Sequence, residues 1–359
     1  MTTSPPPTAA GQPTVDTVAD AGPGHPVADA APGRCAVSDQ SWTGQARDWL
    51  TDELARHGRR VTGPVEPRVR PWSTVWRVPT DGGTYWFKAN SADTAYEAGL
   101  VRALARIAPG RVPDPVAGDT RRGWTLLPDG GETLRDVLDR QRDPMLWERI
   151  LPVYAELQLA TVDRVDELLT LGVPDHRPAA LPEQFAGLLD DREWLLFDQP
   201  DGLTPDAYDR LRGLLPEFTD RCRRLDELAV PAALQHDDLH DGNVFAGADG
   251  CRIFDWGDAS VSHPFGTLLV TLRSVAYGFD LPVGDPALAR LRDAYLEPWS
   301  ARHDRPTLLE SLDLAFHLAK VTRALSWRRA LRTAEPADRQ EYAAAVPGWL
   351  GELFTPNPL

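Results

Sequence analysis

The chain has 359 residues, 42% of them apolar, and a formal net charge of -15. That is enough for a substantial core and more than one typical domain, while the acidic balance argues against nucleic acid or an anionic membrane as partner. No run of about eighteen apolar residues predicts a spanning helix, and the three scattered cysteines, Cys35, Cys222 and Cys251, follow no metal spacing and fit a reducing cytoplasm.

Residues 1–40 are rich in Pro, Ala, Gly and Thr, lack a leader-like apolar stretch, and predict a disordered tail. Order is expected from Trp42, because Trp42, Ala46, Trp49, Leu50 and Leu54 recur at helical spacing up to His57-Gly58. Strands follow at 75–78 and 84–88, joined by the turn Asp81-Gly-Gly83. Lys88 ends the second strand, and it is one of only two lysines, with Lys320, among 38 basic residues. A chain that uses Arg for almost every positive charge singles out Lys88 as a place where a compact ammonium is wanted.

Ser91 predicts an N-cap for a helix running to about Ile107, on which Glu97, Val101 and Leu104 share one face. A carboxylate on an apolar stripe is either an edge-of-helix acid or a group needing a buried partner, for which Lys88 is the candidate. Two more strands are expected around Pro115-Val116 and Trp124–Leu127, and the breaker cluster Leu127-Pro-Asp-Gly-Gly131 predicts a crossing into a second, mainly helical region. Helical periodicity returns over 133–138, 145–169 and 208–228, and the remainder after Asp258, including 286–299, 307–331 and 339–354, also reads as helical. Lys320, between Leu318 and Val321, reads as a solvated or snorkelling helix residue.

The chemistry concentrates in His236-Asp-Asp-Leu-His-Asp-Gly-Asn243 and Asp255-Trp-Gly-Asp258. Apolar runs on either side of Gly247-Ala-Asp-Gly250 predict a hairpin that pairs Ala246 with Cys251 and sets Asn243 opposite Phe254, next to Asp255. Asn243 and Asp255 then offer two hard oxygen ligands suited to Mg²⁺. Asp238, in the loop before the hairpin, can accept a hydroxyl proton, which outlines a phosphoryl-transfer site.

This pattern, HxDxxxxN followed by a strand-borne Asp, resembles the aminoglycoside phosphotransferase and choline kinase superfamily over residues 65 to 275. The resemblance implies an α+β, bilobal protein-kinase-like fold: a small mixed-sheet N-lobe with one key helix over 41–128, and a larger helical C-lobe over 129–359. It implies Asp238 as catalytic base, Asn243 and Asp255 as Mg²⁺ ligands, His236 and His240 as loop supports, and Lys88 held by Glu97 on the phosphates of ATP or GTP. Ser73 and Thr74 take the place of the phosphate-covering loop, backbone groups near Leu127 and Asp129 face the nucleotide base, and Asp241 and Asp258 lie toward the acceptor, either pairing with an amine, or facing solvent or serving as local hydrogen-bond acceptors. The acceptor implied is a small hydroxyl compound: an aminoglycoside-like antibiotic, an amino alcohol or a sugar. The family usually has Gly where this chain has Asp237, a departure that bears on loop flexibility and not on the reacting atoms.

Two other possibilities remain at this point. A kinase-like protein without turnover could bind nucleotide for regulation, although Lys88, Asp238, Asn243 and Asp255 are all retained. His236-Asp-Asp-Leu-His240 also differs from the zinc-protease HExxH by one residue type, which would require both imidazoles on one helix face. Neither lysine follows a glycine, so no P-loop is present, and no GxGxxG occurs.

Overall fold

Aromatic and β-branched residues between Ser73 and Asn90 fold into the longest strand pair of the computed structural model, which describes residues 40–247 and 250–359. Helix α1 (Gln40–Arg56) precedes β1 (Glu66–Arg70), β2 (Ser73–Thr80) and β3 (Gly83–Asn90). The turn between β2 and β3 depends on Gly83, whose φ of 111° is open to glycine and costly for other residues. Helix α2 (Glu97–Ile107), β4 (Ala117–Asp119) and β5 (Trp124–Pro128) complete a five-stranded sheet in the order β1-β2-β3-β5-β4. Trp42 packs edge-on against Trp76 and Trp124, and Trp49 edge-on against Trp124 and tilted against Phe87, which closes one sheet face with aromatic area.

The larger lobe begins with α3 (Leu134–Gln141), started by a capping box between Thr133 and Asp136. Helices α4 (Trp147–Thr161), α5 (Val165–Thr170), α6 (Leu181–Asp190) and α7 (Pro205–Glu227) follow, with the short strand β6 (Asp175–His176) before α6. Three short strands then carry the motif region: β7 (Ala233–Gln235), β8 (Val244–Gly247) and β9 (Gly250–Ile253). Strand β10 (Ser260–Ser262) joins β6 and β7 in a small sheet, and α8 (Thr267–Phe279), α9 (Pro286–Leu296), α10 (Arg305–Leu331), α11 (Pro336–Glu341) and α12 (Ala345–Gly351) end the chain. Helix α10 is the lobe's axis, buried on nearly all sides from Ser311 to Leu331, as a helix surrounded by others must be. No helix among the described residues is long and apolar enough to cross a membrane.

Several expectations need correction. The sheet of the small lobe is antiparallel throughout, not mixed, because hairpins join β1 to β2 and β2 to β3, and β5 runs against both β3 and β4. Strand β1 was not foreseen, since Glu66-Pro-Arg-Val-Arg70 is polar and lies at an edge. Ser91 makes no side-chain cap; a 3₁₀ turn at Ala92–Thr94 intervenes before α2 starts at Glu97. Lys320 is fully buried rather than solvated, donating from Nζ to the Thr355 carbonyl at 3.0 Å. Burial pulls its pKa down to about 8. The tail expected over 1–40, and Cys35 with it, lie outside the described residues except for Gln40. Cys222 and Cys251 are free and buried.

Candidate active site

The loop after β7 is fixed from behind by α4. Gln158 donates to the carbonyls of Leu234 and Pro264 at 3.0 and 2.9 Å, and the Leu234 N–H donates to Thr161 Oγ1 at 3.0 Å. The His236 N–H donates to Tyr154 Oη at 2.9 Å, and its fully buried ring packs on Trp256 with centroids 4.6 Å apart. Nε2–H donates to the Phe254 carbonyl at 2.9 Å while Nδ1 accepts from the Asp238 N–H at 3.3 Å, which selects a neutral tautomer. Burial lowers the pKa of His236 and keeps it in that form. One imidazole thus ties the loop bearing Asp238 to the strand end before Asp255.

Asp237 has a φ of 65°, in the left-handed region that Gly enters freely and Asp tolerates better than most residues. Its buried carboxylate accepts from Gln235, from Thr322 Oγ1 at 2.9 Å and from Ser260 Oγ at 3.0 Å. Burial still raises its pKa to about 6. Because the folded value exceeds the unfolded one, stability is greatest with the carboxyl protonated and is lost as pH rises through about 6. Asp237→Asn keeps the shape and the left-handed tolerance, so it should melt several degrees above the parent at pH 7.5, with the gap closing toward pH 4. Thermal melts across that range test this, and a gap independent of pH would rule out the carboxyl as its source.

Pairing of Ala246 with Cys251 and Val244 with Ile253 carries the hairpin back to Asn243, whose carbonyl accepts from the Phe254 N–H at 3.0 Å. Asp255 therefore follows directly beside Asn243, at φ 64° and ψ 64°. Lys88 reaches it from β3: Nζ is 2.5 Å from Asp255 Oδ1 and 2.7 Å from Glu97 Oε2. Glu97 Oε1 accepts from the Trp256 N–H at 2.9 Å, so the helix of the small lobe also holds the segment that carries Asp255. Burial opposes the charge on Lys88, but Asp255 and Glu97 outweigh it and hold the ammonium well above its ordinary pKa.

The donor set fits a hard divalent cation. Asn243 donates through Nδ2 to the Asp238 carbonyl at 3.0 Å, which turns Oδ1 the other way. That oxygen is buried with no hydrogen-bond partner among the described residues, an unusual and costly state for an amide carbonyl. Paired with the adjacent Asp255 carboxylate, it offers the oxygen ligands that Mg²⁺ prefers.

The cleft is lined by Lys88, Asp238, His240, Asn243 and Asp255 from the motifs, and also by Trp72 and Trp327. Trp72, at the tip of the β1–β2 turn, packs edge-on against Trp327 and Tyr342 of the large lobe, with centroids 5.6 and 5.2 Å apart. Ser73 and Thr74 open β2 beside this tip, and Thr74 Oγ1 is buried without a hydrogen-bond partner among the described residues. Leu127 pairs with Trp86 within the sheet. The Asp129 N–H, expected to face a base, is used on the Thr84 carbonyl at 3.1 Å, and its carboxylate caps the turn by accepting from the Gly131 N–H at 3.2 Å.

Neither acid placed toward the acceptor stands free. Asp241 Oδ1 accepts from Arg135 at 3.2 and 3.0 Å, and Asp258 Oδ2 lies 3.0 Å from Arg323 Nη1. The other terminal nitrogen of Arg323 is 3.0 Å from Asp238 Oδ1. No local motif marks Arg323; the available signal was a charged residue inside the apolar run of α10. The zinc arrangement is overturned by the backbone, because residues 236–240 are an irregular loop rather than a helix. His240 is committed there as well, its Nδ1 accepting from the Gly242 N–H at 3.0 Å.

A small antiparallel sheet carrying a lysine, a helix supplying its carboxylate partner, and a helical lobe bearing the loop and hairpin together define a bilobal α+β protein of the protein-kinase-like fold. The chain belongs to the phosphotransferase enzyme family, whose model matches residues 65–299. Among solved structures, macrolide 2'-phosphotransferase from Brachybacterium faecium is 19% identical, with a TM-score of 0.54 over 83% of this chain and 98% of its own. Choline kinase from Cryptosporidium parvum is 12% identical, with a TM-score of 0.53 over 78% of this chain and 86% of its own. Amicoumacin kinase, in complex with AMP-PNP, Ca²⁺ and Ami, is 13% identical, with a TM-score of 0.52 over 88% and 95%. At such identities the likeness is one of fold. No match is found among curated proteins.

Proposed function

We propose that this protein transfers the γ-phosphate of ATP or GTP to a hydroxyl group of a small molecule, with Mg²⁺ as cofactor. The observation that carries the proposal is the convergence in one cleft of Lys88, Asn243, Asp255 and Asp238, brought from separate parts of the chain. Lys88, steadied by Glu97, binds the phosphates as a point charge. Asn243 and Asp255 would hold Mg²⁺, which supplies neutralisation of phosphate charge. Asp238 takes or orients the proton of the attacking hydroxyl, and the tie from His236 keeps its backbone in register with Asp255. The nucleotide complex of the amicoumacin kinase, a protein of the same fold, is consistent with nucleotide and divalent metal use here.

On the acceptor side, Asp241 is paired with Arg135 and Asp258 with Arg323, while Trp72, Trp327 and Ala330 give the cleft that holds Asp238 an apolar wall. An acceptor with an apolar face beside its reactive hydroxyl suits that wall better than a polycation. Trp327→Ala should raise KM for the acceptor about tenfold or more while changing KM for nucleotide by less than about threefold, in line with losing one buried aromatic contact. Equal changes in both would place Trp327 outside the acceptor side.

The test of function is nucleotide consumption with Mg²⁺ across antibiotics, amino alcohols and sugars, followed by mass spectrometry to locate the added phosphate. Tight nucleotide binding without turnover on any acceptor would favour a regulatory nucleotide-binding protein instead.

A further inference from the structure

We propose that Arg323, on helix α10, is a positioning residue that orients the Asp238 carboxylate for the incoming hydroxyl and sets its distance from the segment bearing Asp255. The inference rests on the phosphotransfer assignment above. Arg323 is 2% exposed, its Nη2 is 3.0 Å from Asp238 Oδ1, and its Nη1 is 3.0 Å from Asp258 Oδ2. Nη1 donates a hydrogen bond to Asp258 while Nη2 is ion-paired with Asp238, so one rigid planar cation holds the two carboxylates at a set separation, which a flexible ammonium does not. Those carboxylates lie on the two loops whose spacing decides whether Asp238 meets a hydroxyl next to the phosphate.

Further contacts show that α10 addresses these loops as a unit. Thr322, the preceding residue, donates to Asp237 at 2.9 Å, so neighbouring residues of the helix hold neighbouring residues of the loop. Arg329, nearly two turns on, donates to the Asp258 carbonyl at 3.1 Å and to Tyr96 Oη at 3.3 Å. Tyr96 in turn donates to the Gly257 carbonyl at 2.5 Å, tying the same segment to the small lobe. The Trp349 ring of α12 lies 5.6 Å from the Arg323 guanidinium carbon and limits its movement.

With Oδ1 of Asp238 drawn to Arg323 by the ion pair, Oδ2 is the oxygen left for the acceptor. That oxygen lies 3.6 Å from His240 Nε2, and the Asp238 side chain remains 30% exposed in the cleft. A carboxylate free to rotate would present either oxygen in many orientations. One anchored at a single oxygen presents the other in a narrow range, and misplacement at this scale costs about 10²-fold in rate.

The experiment is a double-mutant cycle between Arg323→Met and Asp238→Asn in the full-length protein, reading kcat, both KM values and the melting temperature. Arg323→Met should lower kcat about 10²-fold with nucleotide KM within about threefold, and should cost almost nothing further in the Asp238→Asn background. Millimolar guanidinium should restore part of the kcat of Arg323→Met, where urea at the same concentration does not, and neither should rescue Asp238→Asn. If Arg323→Met is unstable, Arg323→Lys keeps the charge without the fork and should still lose kcat selectively. Wild-type kcat in either folded Arg323 variant overturns the proposal, as does an equal loss with and without Asp238, or a loss confined to nucleotide KM. Absence of phosphotransfer in the wild type instead removes the underlying assignment and the role of Arg323 with it.

Discussion

Asp238→Asn should lower kcat by about 10²–10⁴-fold, the range for losing a positioned proton acceptor, while Mg-nucleotide affinity stays within about threefold. A loss of 10³ corresponds to about 4 kcal/mol of transition-state stabilisation. Asn is the better substitution here because its amide oxygen keeps a polar group beside the Arg323 guanidinium, whereas Ala leaves that buried cation facing Asp258 alone. Kinetics must therefore be read beside a melting curve. A folded Asp238→Asn with wild-type kcat would move the base to another residue, and a parallel loss of nucleotide affinity would make Asp238 part of the phosphate site.

The hairpin over 244–253 was legible because its strands are apolar, its turn is rich in Gly, and a two-residue period leaves one register with Asn243 beside Asp255. The contact between Lys88 and Glu97 was legible for a different reason: a residue type almost absent from the chain lay just before a helix with an acid on its apolar face. The same arginine bias that made Lys88 conspicuous concealed Arg323. One Arg among so many stands out only by its place in the apolar run of α10, and its partners Asp238 and Asp258 are 85 and 65 residues away. Lys320 was misread because helical periodicity marks faces only where one face is wet, and α10 has none around that residue. Helix α6 was missed although it carries a buried apolar face, since short apolar runs between breakers do not distinguish a buried helix from a buried strand.

Lys88→Arg separates a requirement for an ammonium from a requirement for positive charge. Lys88 is 13% exposed, and its Nζ already lies within 2.7 Å of Glu97 and 2.5 Å of Asp255. A guanidinium is wider, presents its donors in one plane, and cannot bring one nitrogen to both carboxylates and a phosphate oxygen in the same volume. The fork must therefore displace Asp255 or Glu97. Displacing Asp255 disturbs its place beside Asn243, and displacing Glu97 releases the Trp256 N–H. kcat/KM should fall about 10²–10³-fold, comparable to losing one preorganised electrostatic contact, although the net charge is unchanged. Lys88→Met removes the charge as well and should lose nucleotide affinity in addition. Full activity in Lys88→Arg would mean that any cation suffices at this position, and the chain's selective use of lysine there would have no chemical basis.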